Sequence, residues 1–316
     1  MNELRILQFA LTKGIGDAAI KKALNYLDQS GRSWDELIRN PEYFREASVA
    51  RVPIDEVWAQ EERAAALYSQ LHDQGIIMLT EADKEYPQHL KKKLGTKCPP
   101  ILFAKGNISL LNRSSVGFCG SRKVSEKGIR LAESCAQQLS ENSIVVTSGY
   151  AGGTDITTHR TALLNGGATI FVLAEGILRY RIKSEIKDLL TADNHVFISQ
   201  FMPNATWNAG NAMKRNSVII GLSDAMILIE SGMTGGTFAA GEEALKLGCP
   251  LFVIDYKNPE TSAEANPYFI AKGGIPIRGK DMKPNVSEVL NTLQNASDDS
   301  DHNDSANAPL QLKLDI

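Results

Sequence analysis

The sequence predicts an α/β protein: a doubly wound, mostly parallel sheet behind a small helical domain. Three observations carry this. Between residues 115 and 278, short continuous apolar runs alternate with amphipathic stretches. Strands that are apolar on both faces belong to a parallel sheet covered by helices on each side. Glycine-rich turns stand where the apolar runs give way to helical periodicity, at 120–122, 148–155 and 231–237. Before residue 76, apolar residues recur three and four apart, the spacing of a helix face.

Residues 1–75 read as helices in LRILQFAL, DAAIKKALNYLDQ, WDELIRN and DEVWAQEERAAALYSQL. The turn TKGIGDAAI holds Gly14-Ile15-Gly16. It is either a plain tight turn or the hairpin of a SAM or helix-hairpin-helix module, whose glycines let N–H groups approach a phosphate. Residues 76–113 read as a connector. They hold the apolar run IIML, an acidic-aromatic-proline stretch, Pro99-Pro100, and ILFAKGN as a short strand; proline excludes helix there. Residues 114–292 carry the strands SVGFCG, NSIVVTSG, ATIFVLAEG, HVFISQF, AMILIES and PLFVID. Between them lie the helices EKGIRLAESCAQQLSE, ITTHRTALLN, IKSEIKDLLTA, GNAMKRNSVIIGLS and FAAGEEALKLG. This is the pattern of an extended Rossmann-like sheet, whose ligands bind outside the carboxyl ends of the strands. Residues 293–316 begin with NASDDSDHNDSANA, the composition of a disordered acidic tail, and end on the alternating apolar PLQLKLDI.

Composition narrows the function. The chain has 316 residues, 43% hydrophobic and 22% charged, as in ordinary globular proteins. Its formal charge of −3 excludes a globally basic nucleic-acid coat, so phosphate contacts must come from local patches. Cys98, Cys119, Cys135 and Cys249 show no C-x-x-C spacing and have no His at ligand spacing, so no metal site is expected. Cys119 and Cys249 stand in apolar runs and read as buried thiols, a usage that fits a reducing cytoplasm. No basic leader with a long apolar core and no 18-residue apolar run occurs. Neither a signal peptide nor a membrane helix is expected.

Chemistry concentrates in the three turns. They are Gly120-Ser121-Arg122, Ser148-Gly149-Tyr150-Ala151-Gly152-Gly153-Thr154-Asp155 and Ser231-Gly232-Met233-Thr234-Gly235-Gly236-Thr237. Each follows a strand and precedes a helix. Helix starts expose unpaired N–H groups and partial positive charge, so each turn is an anion cradle, and three on one sheet edge converge. Lys123 follows the first turn, and Lys214-Arg215-Asn216 reads as the start of an apolar helix. Arg forks onto phosphate and Lys adds a point charge. Tyr150, Phe201 and Trp207 are candidates for base stacking. Asp155 reads as an N-cap and His159, four residues on, as a packing residue. Neither a Walker A loop nor a G-x-G-x-x-G fingerprint is present, so no P-loop hydrolysis and no cofactor are expected.

SVGFCGSRKVSEKG, VVTSGYAGGTDITTHRTALLNGGATIFVLAEG and MKRNSVIIGLSDAMILIESGMTGGTFAAGEEALKLGCPLFVI, in that order, resemble the DprA/Smf DNA-processing family. EADKEYPQHLKKKLGTKCPPILFAKGNISLL is similar to the lead-in of that family, and the resemblance covers about residues 1–278. It implies an extended Rossmann domain behind a SAM-like domain, single-stranded DNA binding without catalysis, homodimerisation, and loading of a RecA-type recombinase in transformation or recombination. Carried over by motif, the DNA pocket would use Gly120, Ser121, Arg122, Gly149, Gly152, Gly153, Lys214, Arg215 and Asn216. The sequence departs from the family pattern at Gly153-Thr154-Asp155, at Ser199-Gln200-Phe201 and at Lys214-Arg215-Asn216. The acidic tail stands where many members carry a winged helix, which suits a divergent, mobile-element or defence role. The third loop, G-G-T-x-x-x-x-E, resembles the LOG-type nucleotide phosphoribohydrolases. That alternative would use Glu242 or Glu243 in N-glycosidic cleavage. In the tail, Gln311, Leu312 and Leu314 resemble a sliding-clamp-binding peptide; the other reading packs them back on the domain.

Overall fold

A computed structural model of the protein describes residues 2–47 and 52–295. In chain order the helical part holds α1 (Asn2–Ala10), α2 (Asp17–Ser30), α3 (Trp34–Arg39), α4 (Pro41–Glu46), α5 (Ile54–Trp58) and α6 (Glu61–Asp73). Then follow β1 (Ile77–Thr80), α7 (Gln88–Leu94), β2 (Ile101–Gly106), β3 (Ser115–Cys119), α8 (Glu126–Glu141), β4 (Val145–Ser148) and α9 (Thr154–Leu164). The rest comprises β5 (Thr169–Val172), α10 (Ser184–Lys187), β6 (His195–Ser199), α11 (Ala209–Leu222), β7 (Ala225–Leu228), α12 (Gly236–Lys246), β8 (Leu251–Ile254), α13 (Asn266–Ala271) and β9 (Ile275–Ile277). Two compact units result. One is the chain up to Asn112 with Thr169–Gly221; the other is Arg113–Ala168 with the chain from Leu222 onward.

In the first unit the small helices close on Phe9, which meets Trp34 edge-on at 5.5 Å and Phe44 at 6.0 Å. Ser33 opens α3 with a full capping box to Glu36, which satisfies two N–H groups that the helix start leaves unpaired. Arg5 is only 8% exposed, and its guanidinium donates to Asp35 at 2.6 Å and Glu61 at 2.9 Å. Burying a charge is tolerated only with such partners. The segment that reads as a connector supplies two strands. β1 runs antiparallel to β2 with Met78 opposite Phe103, and β2 runs antiparallel to β6 with Phe103 opposite Ser199. β6 is parallel to β5, giving the order β1-β2-β6-β5.

The second unit holds β4-β3-β7-β8-β9, parallel at every pair. The sheet is therefore mostly parallel, as the apolar alternation predicts, and α8 lays Leu131, Ala132, Cys135, Ala136 and Leu139 on Val116, Phe118 and Ile227. The stretch IKSEIKDLLTA differs from expectation, because only α10 is helical there. The Asn194 side chain donates to Leu189 O and accepts from Thr191 N, both at 2.9 Å, and so turns the chain toward β6 instead. All four cysteines are buried; burial pushes the Cys98 thiol up to about 11 and that of Cys135 to about 12. No helix among the described residues is long and apolar enough to cross a membrane. The range read as a tail starts too early: a helix spans 287–295 and buries Leu293 in the core of this unit. The remainder of that range, with Gln311, Leu312 and Leu314, lies outside the described residues.

Candidate functional site

β4, β3 and β7 are neighbours, in that order, so the three glycine turns leave adjacent strands of the second unit at their carboxyl ends. They touch. Thr154 donates to Ser121 O from both its N–H (3.3 Å) and its hydroxyl (3.2 Å), and Ser121 N donates to Glu230 O at 3.0 Å. Gly120 lies against the Thr154 side chain. Gly153 has φ +72, and a Cβ there would stand 2.6 Å from the main-chain oxygens of Ser121 and Arg122. Only glycine fits this pairing of loops. Lys123 N donates to Ser121 Oγ at 3.0 Å, which closes the first turn and leaves the Arg122 and Lys123 side chains exposed.

α8 starts at Glu126, as its pattern predicts, with Ser125 as N-cap accepting from Gly128 N, so Arg122 stands four residues before the helix. The anion at that helix start is internal. Glu230, 1% exposed at the end of β7, accepts from Ser125 N at 2.9 Å, from Ser125 Oγ at 2.5 Å and from Tyr256 OH at 3.2 Å. A Cβ on residue 128 would come within 2.5 Å of Glu230 Oε1, which explains a glycine inside α8. Burial, then the Glu230 charge, pushes the Tyr256 hydroxyl pKa up. Glu230 thus clamps residues 121–125 at both ends, with its carbonyl at Ser121 and its carboxylate at Ser125.

In the second turn, Asp155 is a brace and not the N-cap. Gly153 holds the N-cap position without a side-chain bond. The Asp155 carboxylate accepts from Ser148 Oγ at 2.9 Å and from Ala151 N at 3.1 Å. His159 is fully buried, with Nε2 2.7 Å from Gly149 O. Gly152 is exposed. In the third turn Ser231 faces inward, donating its N–H to Asn266 Oδ1 at 3.1 Å and its hydroxyl to Gly232 O at 2.8 Å. Buried Asn266 donates to Ile229 O and Ile254 O, tying β7 to β8. Gly235, the N-cap of α12, makes no side-chain cap bond. Gly235 and Gly236 are exposed, and Gly232 and Thr237 half-buried. Glu242 is exposed and Glu243 half-buried on α12.

Lys214-Arg215-Asn216 belongs to the first unit. It does not begin a helix, since α11 starts at Ala209, where the Asn208 side chain accepts from Asn211 N at 2.8 Å. Lys214 is exposed and meets Asp17 Oδ2 at 3.1 Å. Arg215 is buried, 6% exposed. Burial raises the Glu175 pKa, and the Arg215 charge acts in the opposite direction. Asn216 is half-buried. Of the aromatic candidates, Trp207 is 51% exposed, Tyr150 is half-buried and Phe201 is buried.

Glycine turns at the carboxyl ends of adjacent parallel strands, two helix starts without side-chain caps and two exposed cations define a Rossmann-like protein. The family model of DNA recombination-mediator protein A matches residues 77–284. The chain belongs to this family. It is 35% identical over 158 residues to the DNA processing protein DprA of Streptococcus pneumoniae, covering 49% of this chain and 55% of that protein. It is 26% identical to DprA of Bacillus subtilis over 66% of this chain and 69% of that one. Protein Smf of Escherichia coli is 27% identical over 70% of this chain and 60% of its own length. The match thus spans little more than half of the pneumococcal relative. Its X-ray structure superposes with a TM-score of 0.71 at 24% identity, over 89% of this chain and 96% of that one. A Helicobacter pylori DNA processing protein A, described for its single-stranded DNA binding mode, superposes with a TM-score of 0.56 at 22% identity, over 71% and 96%.

Sequence reasoning passed over Glu230, Gly128 and Asn266. Glu230 does leave a trace: it is a carboxylate at the end of the apolar run AMILIES, where a charge requires a buried partner.

Proposed function

We propose that this chain binds single-stranded DNA and serves as a recombination mediator rather than as an enzyme. The observation that carries the reading is the exposed Arg122-Lys123 pair on a turn clamped at both ends by Glu230. A held cation loses little freedom on meeting phosphate. In this reading Gly120, Ser121, Arg122 and Lys123 take one phosphate. Exposed Gly152 leaves room for the strand, while buried Gly149 and Gly153, which packs on Ser121 and Arg122, hold the turn in shape; Gly232, Gly235, Gly236 and Thr237 present the α12 start. Lys214 adds a further charge contact. Arg215 and Asn216 hold α11, while Asp155 and Ser231 brace the loops. The wider role in this reading is the one that the family resemblance implies: a cytoplasmic homodimer that hands DNA to a RecA-type recombinase. Light scattering reads the dimer, and strand exchange on coated DNA reads the hand-over.

The test is a fluorescence anisotropy titration with a labelled oligonucleotide over a salt series. Arg122→Ala is expected to weaken binding and to reduce the salt slope by about 0.7, the value for one phosphate of a single strand. Unchanged affinity and slope would remove Arg122 from the site. Release of free base from nucleoside monophosphates would favour the phosphoribohydrolase alternative.

A further inference from the structure

Residues 88–97, QHLKKKLGTK, hold four lysines and no acid in a chain of net charge −3. Lys91, Lys92 and Lys97 are exposed. Lys93 is turned inward, donating to Ile220 O at 3.3 Å, and Leu90 and Leu94 pack against Gly221, where a Cβ would come within 2.4 Å of Leu90. α7 is therefore seated on the end of α11, the helix that carries Lys214. A second link runs through α2. Lys21 Nζ donates to Thr96 O at 3.1 Å and pairs with Glu81 at 2.9 Å. One turn earlier on α2, Asp17 meets Lys214. Glu81 and Asp17 are thus already paired with Lys21 and Lys214, and Lys91 Nζ donates to the main-chain oxygen of Glu81 at 3.4 Å. Among the described residues, no carboxylate forms an ion pair with Lys91, Lys92 or Lys97.

We infer that this lysine band, on α7 and the turn after it, is a second contact surface for single-stranded DNA, continuous with Lys214 within the first unit. The inference rests on the DNA-binding reading above and extends it to a longer strand. Cations suit the last turn of a helix, because its carbonyls carry partial negative charge. That accounts for one or two lysines. Three exposed like charges close together repel one another, and a polyanion relieves the repulsion. Lysine is a flexible point charge that fixes no base identity, so the band is sequence-tolerant. It adds to the counterion release of the strand, and it lengthens the stretch of DNA that the protein covers.

The experiment uses the full chain with Lys91, Lys92 and Lys97 replaced by Gln, which keeps the helix propensity of α7. Anisotropy titrations compare oligonucleotides of about 6 and about 40 nucleotides across a salt series. With the long strand, the expected result is about a ten-fold loss of affinity and a salt slope smaller by about 2, three phosphates at about 0.7 each. The short strand should bind as it does to the unaltered protein, which also shows that the variant is folded. Unchanged binding of the long strand, or an equal loss on both strands, overturns the band while the DNA-binding reading stands. A larger loss on duplex than on single strands also overturns it. If the unaltered protein binds neither strand, the underlying reading falls and the band falls with it.

Discussion

Two substitutions separate the jobs of Glu230. Tyr256→Phe removes a single 3.2 Å bond from the carboxylate and leaves both Ser125 contacts, so the expected cost is about 0.5–1.5 kcal/mol with DNA affinity nearly unchanged. Glu230→Gln is nearly isosteric, but its amide brings donors toward the Ser125 N–H and hydroxyl, which need acceptors. The cap of α8 and the far end of the Arg122 turn should both loosen. Urea denaturation reads the stability. The sharper readout is a double-mutant cycle: Arg122→Ala should weaken DNA binding far less in the Glu230→Gln background than alone. Equal losses in both backgrounds would make Glu230 a stability residue only. Single residues were the least legible level of the sequence. Arg122 stood out because a cation follows Gly-Ser after a strand. Arg215, by contrast, reads as a surface cation and is buried beside Glu175, because tertiary packing decides burial and α11 periodicity does not reveal which face turns inward.

Elements were more legible where periodicity ran long. α8 is found at the residues its pattern marks, because Leu131, Cys135 and Leu139 repeat at helical spacing and Ser125 caps it. α10 is shorter than its pattern predicts, since Asn194 takes up backbone groups that would extend it. β1 escaped because four residues carry no period; pairing with β2, not local preference, makes it a strand. The α9 start gives a prediction at this scale. Gly153→Ala should destabilise by about 1–3 kcal/mol for the backbone at φ +72 and ψ −129 alone, a region side chains rarely occupy, with more from the clash against Ser121 and Arg122 main-chain oxygens. Ser33→Ala, which breaks the capping box of α3, should cost about 1 kcal/mol and leave DNA binding untouched. A Gly153→Ala variant as stable as the parent would mean that the second turn relaxes without this contact.

At the scale of the whole molecule, alternating apolar runs and helices made the α/β class readable from end to end. The path of the chain was not readable, because strand order is set by contacts far apart in sequence. The chain enters the first unit, leaves after Asn112, returns for Thr169–Gly221 and leaves again. β2 pairs with β6, Phe103 opposite Ser199, so its partner is about 100 residues further on. At about 5–20 residues per second of synthesis, β2 waits roughly 5–20 s with an open edge on the ribosome. Lys105 near the end of β2 and the exposed lysines of α7 suit that interval, since charge beside an unpaired strand discourages pairing with other chains. A messenger cut to end near residue 112 leaves β2 without β6 for good, so its product should stay less soluble than the full chain despite those lysines, as sedimentation of the two products checks. Birth order, and not only the finished contacts, decides where this protein tolerates being interrupted.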